Sequence, residues 1–316
     1  MLPRVTAAVT GLLEELDAPS EWYFDAGSQQ LYYASNATSG AAPTDPSGAV
    51  TLDAVRAEVL INVTGTKATP VKNVTFSGIV LRDTAATFLQ QHELPSAGDW
   101  GLVHSAAVYA HGTEGLTVRG CTITRVDGQG ILLDGYHRNA TIAGNDMSVI
   151  GSHAIVVWGK TSPCMNANCS KMLPNPAASG PDGREGTQPI GTVVEGNVVS
   201  ETGVYERHGT MFFTSLAAMS HLKGNIFFNA QRAAVNFQDS FGGGNWLEGN
   251  LILNVGRGRN KDEGYVNAWA RQPYITNLKN GTSSTEPAIN VVSGNFILGY
   301  ESNYIVLFFG VQTRGH

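Results

Sequence analysis

Cysteine is scarce in this chain, with three in 316 residues, too few for the disulfide frameworks that hold small secreted domains together. Charge is scarce too. Only 15% of residues are Asp, Glu, Lys or Arg, against 42% hydrophobic, which excludes a disordered tail protein and a coiled coil. No run of Lys or Arg occurs and the formal net charge is −6, so neither nucleic acid nor anionic membrane is expected as a partner. The longest apolar run, Tyr304 to Val311, is far too short to span a bilayer. No His, Cys and acidic residues recur at metal-ligand spacing, so no metal is expected. What is present is a turn-rich, folded chain with 37 Gly, long enough for one elongated domain or two compact ones. A monomer is expected.

The first fifteen residues, Met1 to Glu15, mix Val, Ala and Leu with Thr10, Gly11, Glu14 and Glu15. That pattern predicts a short amphipathic helix and lacks the apolar core of a signal peptide. Asn36, Asn62, Asn73, Asn139, Asn168 and Asn280 are each followed two residues later by Ser or Thr, the acceptor pattern of a secreted glycoprotein. The chain therefore reads as extracellular but without its own leader. Cys164 and Cys169 lie in a polar stretch and can pair, while Cys121 falls in an apolar strand pattern and reads as inert.

An internal repeat organises the rest. Seven segments share the pattern apolar-x-Gly-Asn-x-apolar or a close variant, with glycines at Gly78, Gly120, Gly144, Gly196, Gly224, Gly249 and Gly294. From Gly120 the intervals are 24, 52, 28, 25 and 45, so a unit of about 24 residues recurs and two coils carry insertions. Such a unit cannot bury its own apolar face, and successive units must stack. The pattern predicts an all-β fold, a right-handed parallel β-helix over residues 71–316, its hand taken from the chirality of parallel crossovers. The recurrent Asn, at 145, 197, 225, 250 and 295, is expected to form an inward ladder, with Cys121 at its place in one coil. Residues 1–70 are expected to form a cap with an aromatic hairpin, Glu21 to Asp25 against Gln30 to Tyr33. The Pro-, Gly- and Asn-rich stretch 161–188 breaks the period as an inserted loop, expected to rim a groove.

Offsets from the ladder suggest which residues share a face. Asp134, Trp158, Thr210, Asp239 and Asp262 follow their ladder residues by 12 to 14 positions, which predicts one column. Adjacent coils stack at about 4.8 Å, so Asp239 and Asp262 are expected to lie on the order of 5 Å apart, the separation of the two carboxylates in a retaining glycosidase. Asp239 is assigned as nucleophile, favoured in its ionised form by Arg232 and the run Gly242-Gly243-Gly244; Asp262, beside Glu263, is assigned as general acid. His208, Glu206, Trp269 and Arg271 are expected near the pair, and Trp158 and Trp269 suit the apolar faces of sugars. Core packing for Trp269, a structural ion pair for Arg232 and a plain surface role for His208 remain open. His153 reads as structural.

At these residues the sequence resembles right-handed β-helix proteins of the glycoside-hydrolase type, close to β-helix xylosidases and to fucosidase/xylanase-like enzymes. The resemblance rests on Glu21 to Asp25 with Leu31 to Tyr33, on Ala154 to Gly159, on Arg232 to Asn245 and on Asp262 to Tyr274. It covers most of the chain and implies an extracellular carbohydrate-active protein with acidic catalysis, a polysaccharide or glycan as substrate, and no cofactor. Two departures stand out. Asp262-Glu263-Gly264 replaces the usual Asp-His-Gly, and Glu301-Ser302-Asn303-Tyr304 stands where an Asp-rich turn is expected, so an inactive or truncated chain is one reading. A polysaccharide lyase using Arg232 and Arg271, and a non-catalytic glycan-binding or structural β-helix, are the other readings. Asp134 is carried forward as a substrate-binding residue with Trp158, His208, Arg232, Glu263, Trp269 and Arg271.

Overall fold

The computed structural model describes residues 11–19, 21–34, 53–93, 100–159, 187–238, 243–257, 264–270, 274–275, 286–287, 289–299 and 305–311. The chain divides into two compact units, Met1–Ala54 and Val55–His316. In the first, Trp22–Asp25 and Gln30–Tyr33 pair antiparallel with Tyr23 opposite Tyr32, the hairpin that the aromatic pattern predicts. The helix expected over Met1 to Glu15 is not formed in its described part, where Leu13–Glu15 makes a single 3₁₀ turn. No side chain caps its start at Leu12, and so short a turn fixes backbone without the hydrogen bonds that propagate a helix.

The second unit is all-β, built from three stacked parallel sheets to which each coil contributes in turn. It is a parallel β-solenoid. The longest sheet contains β1 (Ile61–Thr64), β2 (Ala106–Glu114), β3 (Gln129–Arg138), β4 (Ile155–Trp158), β5 (Phe212–Ser215), β6 (Val235–Gln238), β7 (Gly264–Ala270) and β8 (Ile305–Val311), each beside the next. Strand β1 lies upstream of residue 71, so the sheet takes in part of the segment expected as a cap. Two seven-stranded sheets complete the coil, one from Thr75–Ser77 to Val291–Ser293 and one from Val80–Arg82 to Phe296–Leu298. Their strands are short, and Val118, Ile142, Val194, Leu222 and Leu247 from one sheet meet Ile123, Met147, Val199, Phe227 and Ile252 from the other in the core. Val108, Leu133, Val157, Phe212 and Val235 close the core from the long sheet.

Between the two short-stranded sheets the chain bends at the repeated glycine. All seven glycines have φ between +57° and +67°, and at Gly120, Gly144, Gly196, Gly224 and Gly249 a Cβ would meet nothing within 4 Å. The left-handed backbone, and not crowding, therefore demands glycine there. The Asn that follows forms the expected ladder. Asn145 donates its backbone N–H and its side-chain amide to Asn197 Oδ1, both at 2.9 Å; Asn197 does the same to Asn225, Asn225 to Asn250, and Asn250 to Asn295. Cys121 ends the row by donating its N–H to Asn145 Oδ1. A second ladder, not anticipated from the sequence, runs from Ser220 through Asn245 to Asn290 at another corner.

Candidate functional site: the outer face of the long sheet

Because strand residues alternate, β2 to β6 turn a second set of side chains outward. One outward rung is His111, Asp134, Trp158, Ser215 and Gln238, successive partners across five strands. Asp134 and Trp158 thus sit side by side, as their offsets predict. Thr210 does not join them: Ser215 lies opposite Trp158, and Thr210 precedes β5, where its N–H donates to His153 Nδ1 at 2.9 Å. Trp158 is 3% exposed and packs with Trp100, Leu132, Val156 and Phe213, so it offers no open face to a sugar.

Asp134 is the centre of one cluster. Its Oδ2 accepts the Tyr109 hydroxyl at 2.8 Å and lies 3.6 Å from His104 Nδ1 and 3.7 Å from His111 Nδ1. His104 is held on its other side by Glu93, Nε2 to Oε2 at 3.1 Å, and its ring lies 4.7 Å from that of Trp158. Burial and the Asp134 charge push the Tyr109 hydroxyl well above its ordinary pKa, so Tyr109 stays a donor. A register shift between Asp134 and His137 kinks β3 just beyond the acid. His137 braces the kink: its Nε2 donates to the carbonyls of Ala110 and Asp134, and Nδ1 faces the Thr113 hydroxyl at 2.7 Å. Burial lowers the His137 pKa to about 4, which keeps the ring neutral at pH 7.

A second cluster surrounds Glu206. Its carboxylate accepts the Ser152 hydroxyl at 2.9 Å and faces His92 Nε2 at 3.2 Å and His208 Nε2 at 3.3 Å. Burial alone would raise its pKa, but the hydrogen bond and charge of His208, with His92 and Ser152, hold it below the usual carboxylate value. Trp100 lies across this end of the sheet, 5.9 Å from the Phe213 ring and 6.1 Å from His153 and His208, with the Arg232 guanidinium 3.8 Å over its own ring. His153 is buried, which holds its pKa well below the ordinary imidazole value. Beside this cluster Tyr205, 57% exposed, stacks on Phe88 at 5.5 Å.

One outer segment joins the two clusters. His92 reaches Glu206 while the adjacent Glu93 reaches His104, and Glu93 pairs with Leu102 by two backbone hydrogen bonds. Glu206 and Asp134 are nonetheless distant. Glu206 meets Ser152, and Asp134 is level with Trp158, six residues further along the chain.

Of the other expected site residues, His208 and Arg232 meet at Trp100 as described, and Trp269 lies on β7. Asp239, Asp262, Glu263, Arg271, Cys164 and Cys169 lie outside the described residues. Val235 of β6 pairs with Val266 of β7, 31 residues on, whereas the one-coil separation of Asp239 and Asp262 assumes 23. Among the described residues no three His, Cys, Asp or Glu side chains converge as metal ligands would.

No family model and no curated protein matches the sequence. A solved structure described as a glycoside hydrolase is similar in fold, with a TM-score of 0.54 and 14% identity, over 95% of this chain and 57% of that one. The chain therefore spans somewhat more than half the length of that enzyme. At this identity the likeness is one of fold.

Proposed function

We propose that this chain is a carbohydrate-active protein that receives a glycan on the outer face of its long sheet and cleaves a glycosidic bond with retention, Asp239 acting as nucleophile and Asp262 as general acid. The observation that carries the saccharide reading is the Asp134 cluster: a buried carboxylate, a tyrosine and two partly exposed imidazoles gathered on the outer face of the long sheet. Hydroxyl-rich ligands are bound by such alternating donors and acceptors. The fold neighbour, a glycoside hydrolase, supports the same class of activity. The right-handed coil follows from the chirality of parallel connections. An extracellular glycoprotein is supported by Asn62, Asn73 and Asn139, three of the sequon residues, all exposed.

The register of β6 and β7 favours a second reading, in which the chain binds a glycan without cutting it. Aryl glycosides and oligosaccharide binding, measured side by side, separate the two. Cleavage that disappears in Asp239→Asn, and that survives in Asp262→Asn on dinitrophenyl glycosides but not on poorer leaving groups, is the expected result. Saccharide binding with no turnover on any glycoside selects the second reading, and no saccharide binding at all removes both.

A further inference from the structure

We propose that His111 is a general base of this face and that Asp134 is the residue that positions it. The inference rests on the saccharide reading above but not on the Asp239 and Asp262 assignment. His111 has three features of a positioned base. Its Nδ1 faces Asp134 Oδ2 at 3.7 Å, and its side chain is 37% exposed while that of Asp134 is 4% exposed. No hydrogen bond engages its Nε2 among the described residues. The buried carboxylate favours the tautomer with the proton on Nδ1, which leaves the Nε2 lone pair toward solvent. The neighbouring imidazoles are less available: His104 faces carboxylates through both ring nitrogens, and His92 faces Glu206 and the Gln90 carbonyl.

The backbone is shaped around this ring. Gly135 follows Asp134 at φ +76°, and a Cβ there would lie 2.7 Å from His111 Cε1 and 3.0 Å from Nδ1. Only glycine fits both the left-handed conformation and the ring against it. The kink after Asp134 and its brace, His137, therefore serve to seat His111 beside the acid.

In the reaction this geometry supports, Nε2 of His111 takes a proton from water as the water oxygen bonds to an anomeric carbon. The bond from that carbon to the glycosidic oxygen breaks, and the departing oxygen keeps the electron pair and takes its proton from solvent. Water and a glycoside give a free sugar and an alcohol, and the imidazolium returns its proton to bulk. Attack by water in one displacement inverts the anomeric centre, whereas the Asp239 pathway retains it.

The test uses the full chain with 2,4-dinitrophenyl glycosides, whose leaving group needs no acid. His111→Ala is expected to lower kcat by roughly 10²- to 10⁴-fold with KM little changed, added imidazole to restore part of the loss, and the product to be the inverted anomer. Asp134→Asn and Gly135→Ala are expected to lower kcat without rescue by imidazole, and nitrogen NMR of the histidine rings to show the His111 proton on Nδ1 in the parent and not in Asp134→Asn. His221→Ala, on another sheet beside Glu248, is the control expected to match the parent. Wild-type turnover in His111→Ala, or the proton on Nε2, overturns this inference. If turnover is then retaining and lost in Asp239→Asn, the reading of the preceding section survives alone; if the parent cleaves nothing, both catalytic assignments fall.

Discussion

Removing one rung from the middle of the asparagine ladder tests how the solenoid is held together. The Asn225 side chain makes four hydrogen bonds: its Oδ1 accepts the backbone N–H and the side-chain amide of Asn197, both at 3.0 Å, and its Nδ2 donates to Val194 O and Asn250 Oδ1, both at 2.9 Å. Asn225 is 1% exposed. In Asn225→Ala the buried Asn197 N–H loses its acceptor, which costs about 1–3 kcal/mol, and the other three bonds are worth about 0.5–1.5 kcal/mol each, so a loss of about 2.5–7.5 kcal/mol is expected. Asn295, at the last rung, makes the same kinds of bond, to the Asn250 amides and to Leu247 O and Ser293 O. It is half-buried, so water replaces most of what Asn295→Ala removes, and about 1–2 kcal/mol is expected there. Urea unfolding followed by circular dichroism at pH 7 measures both, and equal denaturant slopes are required for the comparison. A loss under about 1 kcal/mol in Asn225→Ala, or an equal loss in the two variants, would refute the reasoning.

Val149 holds φ +56° at a bend where Asn229 and Asn254 stand in later coils; Val149→Asn should raise stability by about 1 kcal/mol in the same urea assay, because a β-branched residue is strained in that conformation and Asn is not. The His137 ring titrates near 4 in the fold against about 6.5 unfolded, so its contribution is present above pH 6.5 and lost as pH falls toward 4. Between pH 7 and pH 5 the stability should drop by about 2 kcal/mol, and His137→Gln should flatten that part of the profile. Trp100→Ala should free the outer segment, seen as faster amide exchange at Glu93 and Leu102 with the ladder amides of Asn197 and Asn225 still protected.

The solenoid was legible because its bends impose a residue type. A left-handed backbone beside open space selects glycine, and an inward turn position selects Asn, so seven coils repeat the glycine and five of them the Asn after it. Bends that tolerate any side chain leave no such mark. Asp83, Arg125, Val149, Glu201, Asn229 and Asn254 share one left-handed corner, and nothing in their chemistry announces it. In the described part of the expected N-terminal helix the opposite holds: an apolar pattern is present at Leu12 and Leu13, but both are exposed, and periodicity without a surface to pack against does not make a helix.

The candidate site was legible only where the coil length stays constant. Asp134 and Trp158 each stand 13 residues after their ladder positions, Cys121 and Asn145, and share a rung. The same count from Asn197 reaches Thr210, but the true partner is Ser215, because the corner before β5 holds five more residues. Those residues form the loop from Gly203 to Gly209 that supplies Tyr205, Glu206 and His208. A corner long enough to carry functional side chains is also long enough to spoil the phase that would locate them. The corner before β7 is six residues longer than that before β6, judged by the pairing of Val235 with Val266, and this is where the count placed Asp262. His111 was reachable by the more secure route: it stands 23 residues before Asp134, one undisturbed coil. Extending the column backward through regular coils, and not forward through irregular ones, leads from Asp134 to the exposed imidazole beside it.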